Sequence, residues 1–222
     1  MSQEIRRQLE ENPFLKLNDA VYECLREQII TLRYGPGTRL VESQLAGELQ
    51  VSRSPVKAAL LRLEGEKLVC QEAGKSPIVA PVRYEDCLQL LEARRGIEGQ
   101  AAFLAAERIT GEELEGLKGA LLDIKEADQA GDPIRCARSD ARFHQLVIDA
   151  SRNQYLRDAY ALVRGNISRY LLHVLRGMEK QGLREYAHHR GIYHAVRIRC
   201  GSLARDEMVR SIENMYCAMR YL

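Results

Sequence analysis

Asp140 and His144 are the pair of residues whose types and spacing best fit a chemical role. They lie four residues apart in a segment with helical periodicity, so their side chains face the same way. A carboxylate and an imidazole at this spacing can supply two ligands to a divalent metal ion. His189 is a third candidate, because it is in phase with the apolar residues Ile192 and Val196 and is expected to point inward. The same pattern allows a second interpretation, in which Asp140 and His144 are only a buried polar pair.

Hydroxyl and basic side chains form a second group, made of Ser52, Arg53, Ser54 and Lys57. They fall on the first two turns of a helix predicted over residues 53–65, with Ser52 placed as its N-cap. A base-reading helix presents such positions to the major groove of double-stranded DNA. Arg53 is the best candidate for a bidentate contact with guanine, and Lys57 can reach a base or a phosphate. The alternative is a solvated basic face in a module that binds protein.

The elements around this group predict a winged helix-turn-helix. Apolar residues at helical spacing indicate a helix that begins at residue 18 or 19 and ends near 32. Pro and Gly residues then punctuate a turn, and a short helix follows over residues 42–49. Two apolar runs around a Gly-containing turn predict a β-hairpin over residues 67–80. Its tip, Gly74 and Lys75, is placed to touch a minor groove or the DNA backbone.

The remainder of the chain is predicted to be helical throughout. Six helices are expected, over residues 84–108, 110–129, 133–151, 154–176, 183–200 and 201 to the end, with a loop at 177–182. Thr110 and Glu113 form a capping-box pattern, and Gly131-Asp132-Pro133 ends one helix and caps the next. The predicted fold is therefore mostly α: a flexible leader over residues 1–16, a winged helix-turn-helix over 17–82, and an all-α six-helix bundle over 83–222.

Composition limits the alternatives. The chain has 222 residues, of which 45% are hydrophobic and 29% charged, as in ordinary globular proteins. Residues 1–84 hold 12 Lys or Arg and 11 Asp or Glu, so an interpretation as a DNA-binding module depends on where the charges lie. No apolar run reaches the length of a membrane span. The six cysteines are scattered without a CxxC pair, which predicts free thiols in a reducing cytoplasm.

The first part of the chain resembles the GntR family of bacterial transcription regulators. The consensus sequence of that family is close to PG-x-x-L-x-E, LA, VSR-x-PVR-x-AL-x-x-L and GLV. The matching segments here are Pro36-Gly37-Thr38-Arg39-Leu40-Val41-Glu42, Leu45-Ala46, Val51-Ser52-Arg53-Ser54-Pro55-Val56-Lys57, Leu60, Leu63 and Leu68-Val69. Lys57 stands where the family usually has Arg, which keeps the charge and loses the bidentate fork.

The second part resembles the FCD effector domain of the FadR subfamily, in its VanR-like branch. The segments that carry the resemblance are Glu92-Ala93-Arg94-Arg95-Gly96-Ile97-Glu98, Asp140-Ala141-Arg142-Phe143-His144, Asn153 with Leu156, and His189-Arg190-Gly191-Ile192. The resemblance implies a cytoplasmic homodimer that binds a pseudo-palindromic operator under the control of a small carboxylate.

The same resemblance implies a metal site made of an Asp and three His, holding zinc or nickel. Asp140, His144 and His189 match three of these four positions. The fourth is expected about 22 residues after His189, where no histidine stands, so the ligand set is incomplete. Glu213 and Asn214 are the candidate replacements there, and the direct binding of an effector or water without a metal is the alternative.

The effector pocket is predicted more loosely. Related domains have an Arg facing the cavity at the position of Arg95, so this residue is expected to bind a carboxylate, with Arg94 facing solvent. Asn153, Asn166 and Arg169 are further candidates. The expected function is that of a transcriptional regulator, with repression favoured over activation, whose operator binding is controlled by a small organic acid. An orphan DNA binder with a decayed pocket and a metal-dependent hydrolase are the competing hypotheses.

Overall fold

The computed structural model describes residues 1–177 and 185–219. They fall into two compact units, Met1–Val82 and the part that begins at Arg83. The loop predicted over residues 177–182 and the predicted helix start at residue 183 lie almost wholly outside the described residues. Among the residues described, every helix is too short or too polar to cross a membrane.

The first unit contains four helices and one hairpin. These elements are α1 (Gln3–Glu11), α2 (Leu17–Ile30), α3 (Glu42–Leu49), α4 (Arg53–Gly65), β1 (Val69–Cys70) and β2 (Ile78–Val79). The apolar side chains predicted to form one face of α2, Val21, Leu25 and Ile29, are buried in the core of this unit. The winged helix-turn-helix pattern of the sequence is therefore present, with α3 and α4 as the two helices of the motif.

The leader predicted to be flexible is instead largely helical, and this prediction was wrong. Ile5 is fully buried in the core of the first unit, and Leu9, one helical turn later, packs against the same core. The backbone N–H of Ser2 donates to the carbonyl of Leu49 at 2.9 Å. A segment this short is marginal as an isolated helix, so its helical state depends on tertiary packing that composition does not reveal.

The wing is a two-stranded antiparallel sheet in which Val69 pairs with Val79 and Cys70 with Ile78. Arg39 forms an isolated bridge with Ile78, which extends the pairing on the other side of β2. Gly74 lies in the connecting turn with φ +75°, a conformation that residues with a Cβ rarely adopt.

The described residues of the second unit form six helices. They are α5 (Tyr84–Arg108), α6 (Gly111–Ala130), α7 (Pro133–Ala150), α8 (Gln154–Gly177), α9 (Glu185–Arg197) and α10 (Gly201–Met219). Thr110 and Glu113 form the predicted capping box at the start of α6, and Asp132 accepts two backbone N–H bonds at the start of α7. The mostly α fold class predicted from the sequence is confirmed.

Buried polar residues identify where α5, α7 and α9 meet. Both α7 and α9 pack against α5. Glu98 on α5, Asp140 and His144 on α7, and His189 on α9 are each no more than 4% exposed. Burial of polar groups is costly unless they are paired, so this cluster is the natural place to look for a site.

Candidate metal centre and nucleic-acid interface

Three ligand atoms converge between α7 and α9. Asp140 Oδ1 lies 3.0 Å from His189 Nε2 and 3.6 Å from His144 Nε2. The two histidine Nε2 atoms are 3.1 Å apart. Ligands about 2.0–2.1 Å from a tetrahedral zinc ion are separated from one another by about 3.3 Å. The triangle therefore has the size of one face of a metal coordination shell.

Both histidines are oriented by partners on their other ring nitrogen. His189 Nδ1 lies 2.7 Å from the backbone carbonyl of Glu185, which can only accept, so this nitrogen carries the hydrogen. His144 Nδ1 lies 2.5 Å from Glu98 Oε2. Each contact leaves Nε2 free of its hydrogen in the neutral ring and aimed at Asp140. Metal-ligating histidines are held by a carboxylate or a carbonyl in this way.

The local charges favour ionised carboxylates. Burial by itself would raise the pKa of Glu98, but the Arg94 guanidinium and then His144 outweigh it and lower that pKa to about 2. Burial likewise opposes ionisation of Asp140, and the two histidines lower its pKa to about 2. Asp140 reverses the effect of burial on His189 and raises its pKa. With both rings neutral, the cluster would offer one anionic oxygen and two imidazole nitrogens, a donor set that suits zinc or nickel, and a metal ion would have to displace the proton that Asp140 favours on His189.

The placement of the two adjacent arginines on α5 contradicts the sequence prediction. Arg94, expected to face solvent, is 3% exposed, and its Nε lies 2.5 Å from Glu98 Oε1. Arg95, expected to face the cavity, has a side chain that is 47% exposed and pairs with Glu213 at 2.7 Å. Helical phase explains the error: Arg94 lies four residues before buried Glu98, so these two share the inward face.

This pairing also removes Glu213 as the fourth metal ligand, because its carboxylate is engaged by Arg95 at a half-exposed position. In the part of the chain that the structure describes, the group of carboxylate, thiol and imidazole ligands at this place consists of Asp140, His144 and His189. Asn214 is half-buried on α10, and its role as a replacement ligand stays a prediction.

The remaining effector candidates divide into two kinds. Asn153 is half-buried, and its Oδ1 accepts the backbone N–H of Leu156 at 3.2 Å, so it caps the first turn of α8 rather than lining a pocket. Asn166 and Arg169 are both buried, and Arg169 donates to Asn166 Oδ1 at 2.8 Å. Arg169 is 1% exposed, which places a guanidinium group inside the bundle.

The residues expected to contact DNA all lie on the surface of the first unit. Ser52 has the extended backbone of an N-cap residue, and Arg53, Ser54 and Lys57 are exposed on the first two turns of α4. At the wing, Gly74 and Lys75 are exposed, and Lys75 Nζ lies 2.5 Å from Glu72 Oε2.

A third basic residue of α4 is engaged inside the unit. Arg62 donates to Asp19 at 2.6 Å and stacks over the ring of Tyr22, 3.7 Å from its centre. This side chain is therefore held against α2, and it differs in that respect from Arg53 and Lys57.

Comparison with known proteins agrees with this architecture. The model of the FCD domain matches residues 89–214, more than half of the chain. The model of bacterial regulatory proteins of the gntR family matches residues 17–79. The chain belongs to the GntR family. It is a DNA-binding transcriptional regulator of the GntR/FCD type and not an enzyme, which sets aside the hydrolase hypothesis.

Individual relatives support the same conclusion over most of the chain. The HTH-type transcriptional regulator LutR of Bacillus subtilis (strain 168) is 31% identical over 204 residues, which is 81% of this chain and 90% of LutR. The HTH-type transcriptional repressor RspR of Escherichia coli (strain K12) is 25% identical over 158 residues, 71% of this chain and 69% of RspR. The solved structure of E. coli McbR/YncC has the same fold, with a TM-score of 0.80 at 20% identity, covering 94% of this chain and 99% of that one.

Glu98 and Arg94 belong to the candidate site of this GntR-family regulator and were missed by the sequence predictions. The signal that could have found them is the spacing of four between an acid and a base on the apolar face of α5. His144 is oriented through Glu98, and Glu98 is held in turn by Arg94. The centre thus depends on α5 as well as on the helices that carry its ligands.

The adjacent arginines provide a matched test of this arrangement. Arg94→Ala leaves the buried Glu98 carboxylate without its cation, and we expect the free energy of unfolding to fall by about 3–5 kcal/mol. Arg95→Ala removes a half-exposed pair, and we expect a change of about 1 kcal/mol or less. Urea unfolding followed by circular dichroism measures both. Equal decreases in the two variants would contradict the assignment of Arg94 to the buried network.

Proposed function

We propose that this regulator binds operator DNA through its first unit and a small organic acid through its second, with a divalent metal ion held by Asp140, His144 and His189. The observation that carries the proposal is the triangle of three ligand atoms, none more than 3.6 Å from another, with both imidazoles turned to present Nε2. Its residues are buried, so the site is shielded from bulk solvent.

Asp140, His144 and His189 would hold the metal ion, which would supply a positive charge for a carboxylate oxygen of the acid. We assign selection of the acid to a polar pair that is buried in the same unit. Arg169 is a buried guanidinium whose fork suits a second carboxylate oxygen or a hydroxyl, and Asn166 fixes its direction at 2.8 Å. This pair supports a small organic acid as the effector.

At the DNA end, Arg53 and Lys57 are proposed to read base edges, with Ser52 and Ser54 beside them at the start of α4. Gly74 and Lys75 at the wing tip are proposed to contact the minor groove or backbone. Half-sites arranged as a pseudo-palindrome require a homodimer, which reads each half with the same helix. Repression in the bacterial cytoplasm is the mode proposed, and the name of the relative RspR supports it.

The acid is proposed to regulate operator binding by shifting the equilibrium between two states of the protein. The acid must bind one state better than the other, because a ligand with equal affinity for both changes nothing. Couplings of this kind amount to about 1–3 kcal/mol, or about 5- to 150-fold in operator affinity.

The effector half of the proposal is tested on an operator fragment selected by the protein from genomic DNA. Binding is followed by fluorescence anisotropy while a panel of two- to six-carbon mono-, di- and tricarboxylates is added. We expect Arg169→Gln to bind the fragment normally and to need at least about tenfold more acid for the same response, because the variant has no guanidinium fork.

Two further variants make this result interpretable. Arg169→Lys keeps the charge without the fork and is expected to respond between wild type and Arg169→Gln. Arg95→Gln changes an exposed arginine and is expected to respond as wild type does. An unchanged acid response in folded Arg169→Gln would contradict the role given to Arg169, and no response of the wild-type protein to any acid in the panel would favour an orphan regulator.

A further inference from the structure

An apolar side chain lies on the outward face of α4, one helical turn beyond the residues proposed to read DNA. Leu61 is 58% exposed. The opposite face of the helix is packed into the core of the first unit, where Val56, Ala59 and Leu63 are fully buried. The orientation of α4 is thereby fixed, and Leu61 points away from the protein.

Leu61 is aligned with the residues proposed to read bases. It lies four residues after Lys57 and eight after Arg53, which puts the three side chains on one side of the helix. Ser54 and Ala58 fall between them on the same outward side, and both are small. Small side chains at these positions allow the helix to approach the floor of a groove closely.

Two other charged residues near Leu61 are exposed: Arg62 does not compete for this surface, and Glu64 lies about one turn further along the helix. Arg62 is held against α2 by Asp19 and by the ring of Tyr22. The outward face of α4 therefore combines cationic side chains in its first two turns with an apolar one in its third, followed by the acidic Glu64. A purely electrostatic contact with phosphates has no use for the apolar side chain at that place.

Single exposed leucines are common on protein surfaces, and exposure alone has no functional meaning. The position of Leu61 on the proposed DNA-reading helix is what suggests a function. In the major groove, thymine alone presents an apolar group, its 5-methyl, and apolar side chains contact it. We propose that Leu61 reads the 5-methyl group of a thymine, which makes it a specificity-determining residue of the operator contact.

The helix also sets where that thymine lies. Eight residues of α-helix span about 12 Å, and base pairs are stacked about 3.4 Å apart. The thymine is therefore expected no more than about four base pairs from the guanine read by Arg53. This inference rests on the proposed role of α4 as the DNA-reading helix.

Uracil substitution tests the contact, because replacing thymine with deoxyuridine removes only the methyl group. Each thymine of the selected operator is replaced in turn, and binding of wild type and Leu61→Ala is compared by anisotropy. We expect one or two positions in each half-site where uracil weakens wild-type binding about fourfold, the effect of one buried methyl-sized group. At these positions uracil is expected to have no effect on Leu61→Ala.

Leu122→Ala is the control, because Leu122 is a 47% exposed leucine on α6 in the other unit. It is expected to show the wild-type uracil profile. Equal uracil effects in wild type and Leu61→Ala would overturn the proposal, and so would a change of oligomeric state of Leu61→Ala in size-exclusion chromatography. If α4 is not the DNA-reading helix, the result is different: Arg53→Ala/Lys57→Ala would then bind the operator as wild type does.

Discussion

Replacing both Arg53 and Lys57 with alanine is expected to lower affinity for the selected operator at least about a hundredfold. Each good contact between a basic side chain and a base edge contributes about 1–3 kcal/mol, and both side chains are exposed at the start of α4. The dependence of the binding constant on salt should also weaken, by about one counterion for each phosphate that the variant no longer neutralises. Anisotropy titrations at several salt concentrations measure both effects.

Arg62→Ala provides the matched control for this double variant. It removes a positive charge from the same helix, but one that is bound to Asp19 and Tyr22 within the protein. We expect its operator affinity to stay within about threefold of wild type, a range that corresponds to less than about 1 kcal/mol. A decrease in Arg62→Ala as large as in the double variant would show that bulk charge, rather than the two named side chains, determines binding.

The second large effect is expected on thermal stability, which metal binding should raise and which removal of two ligands should leave unchanged by metal. A ligand at a thousand times its dissociation constant stabilises the folded state by about 4 kcal/mol. For a chain of this size that corresponds to a rise of about 8–16 °C in melting temperature. Zinc or nickel should produce such a rise in the wild-type protein, and the rise should be absent in His144→Ala/His189→Ala, which keeps one of the three ligands.

His194→Ala is the control for the metal experiment, since His194 is an exposed histidine on the same helix as His189. It should bind metal and gain thermal stability as wild type does. The metal content of each purified protein, measured by inductively coupled plasma mass spectrometry, gives a second readout. One metal ion per chain and the same thermal shift in the double variant would contradict the assigned ligands.

The helices were predictable where short-range signals mark their ends. Thr110 with Glu113, and Asp132 before Pro133, set the starts of α6 and α7 because capping is a property of neighbouring residues. Helix α1 was not predictable in the same way. Its ordering depends on the burial of Ile5 against residues distant in the sequence. The polar sequence of the leader carries no local signal of that burial.

The candidate site was predictable to the same degree. Asp140 and His144 follow from a spacing of four, and His189 from its apolar phase. The assignment of Arg95 failed because one position along a helix is a rotation of about 100°, so a small error of phase exchanges a buried side chain with an exposed one. The part played by Glu98 required knowing that α5 packs beside α7, and no local pattern carries that information.

We expect the ligand site of the helical unit and the DNA-reading helix to be coupled. Binding linkage is reciprocal, so operator DNA must change the affinity for the organic acid as much as the acid changes the affinity for the operator. The most direct measurement is calorimetric titration of the acid into metal-loaded protein, once alone and once saturated with operator. We expect dissociation constants for the acid that differ by about 5- to 150-fold between the two titrations. Identical constants in the two titrations would contradict it.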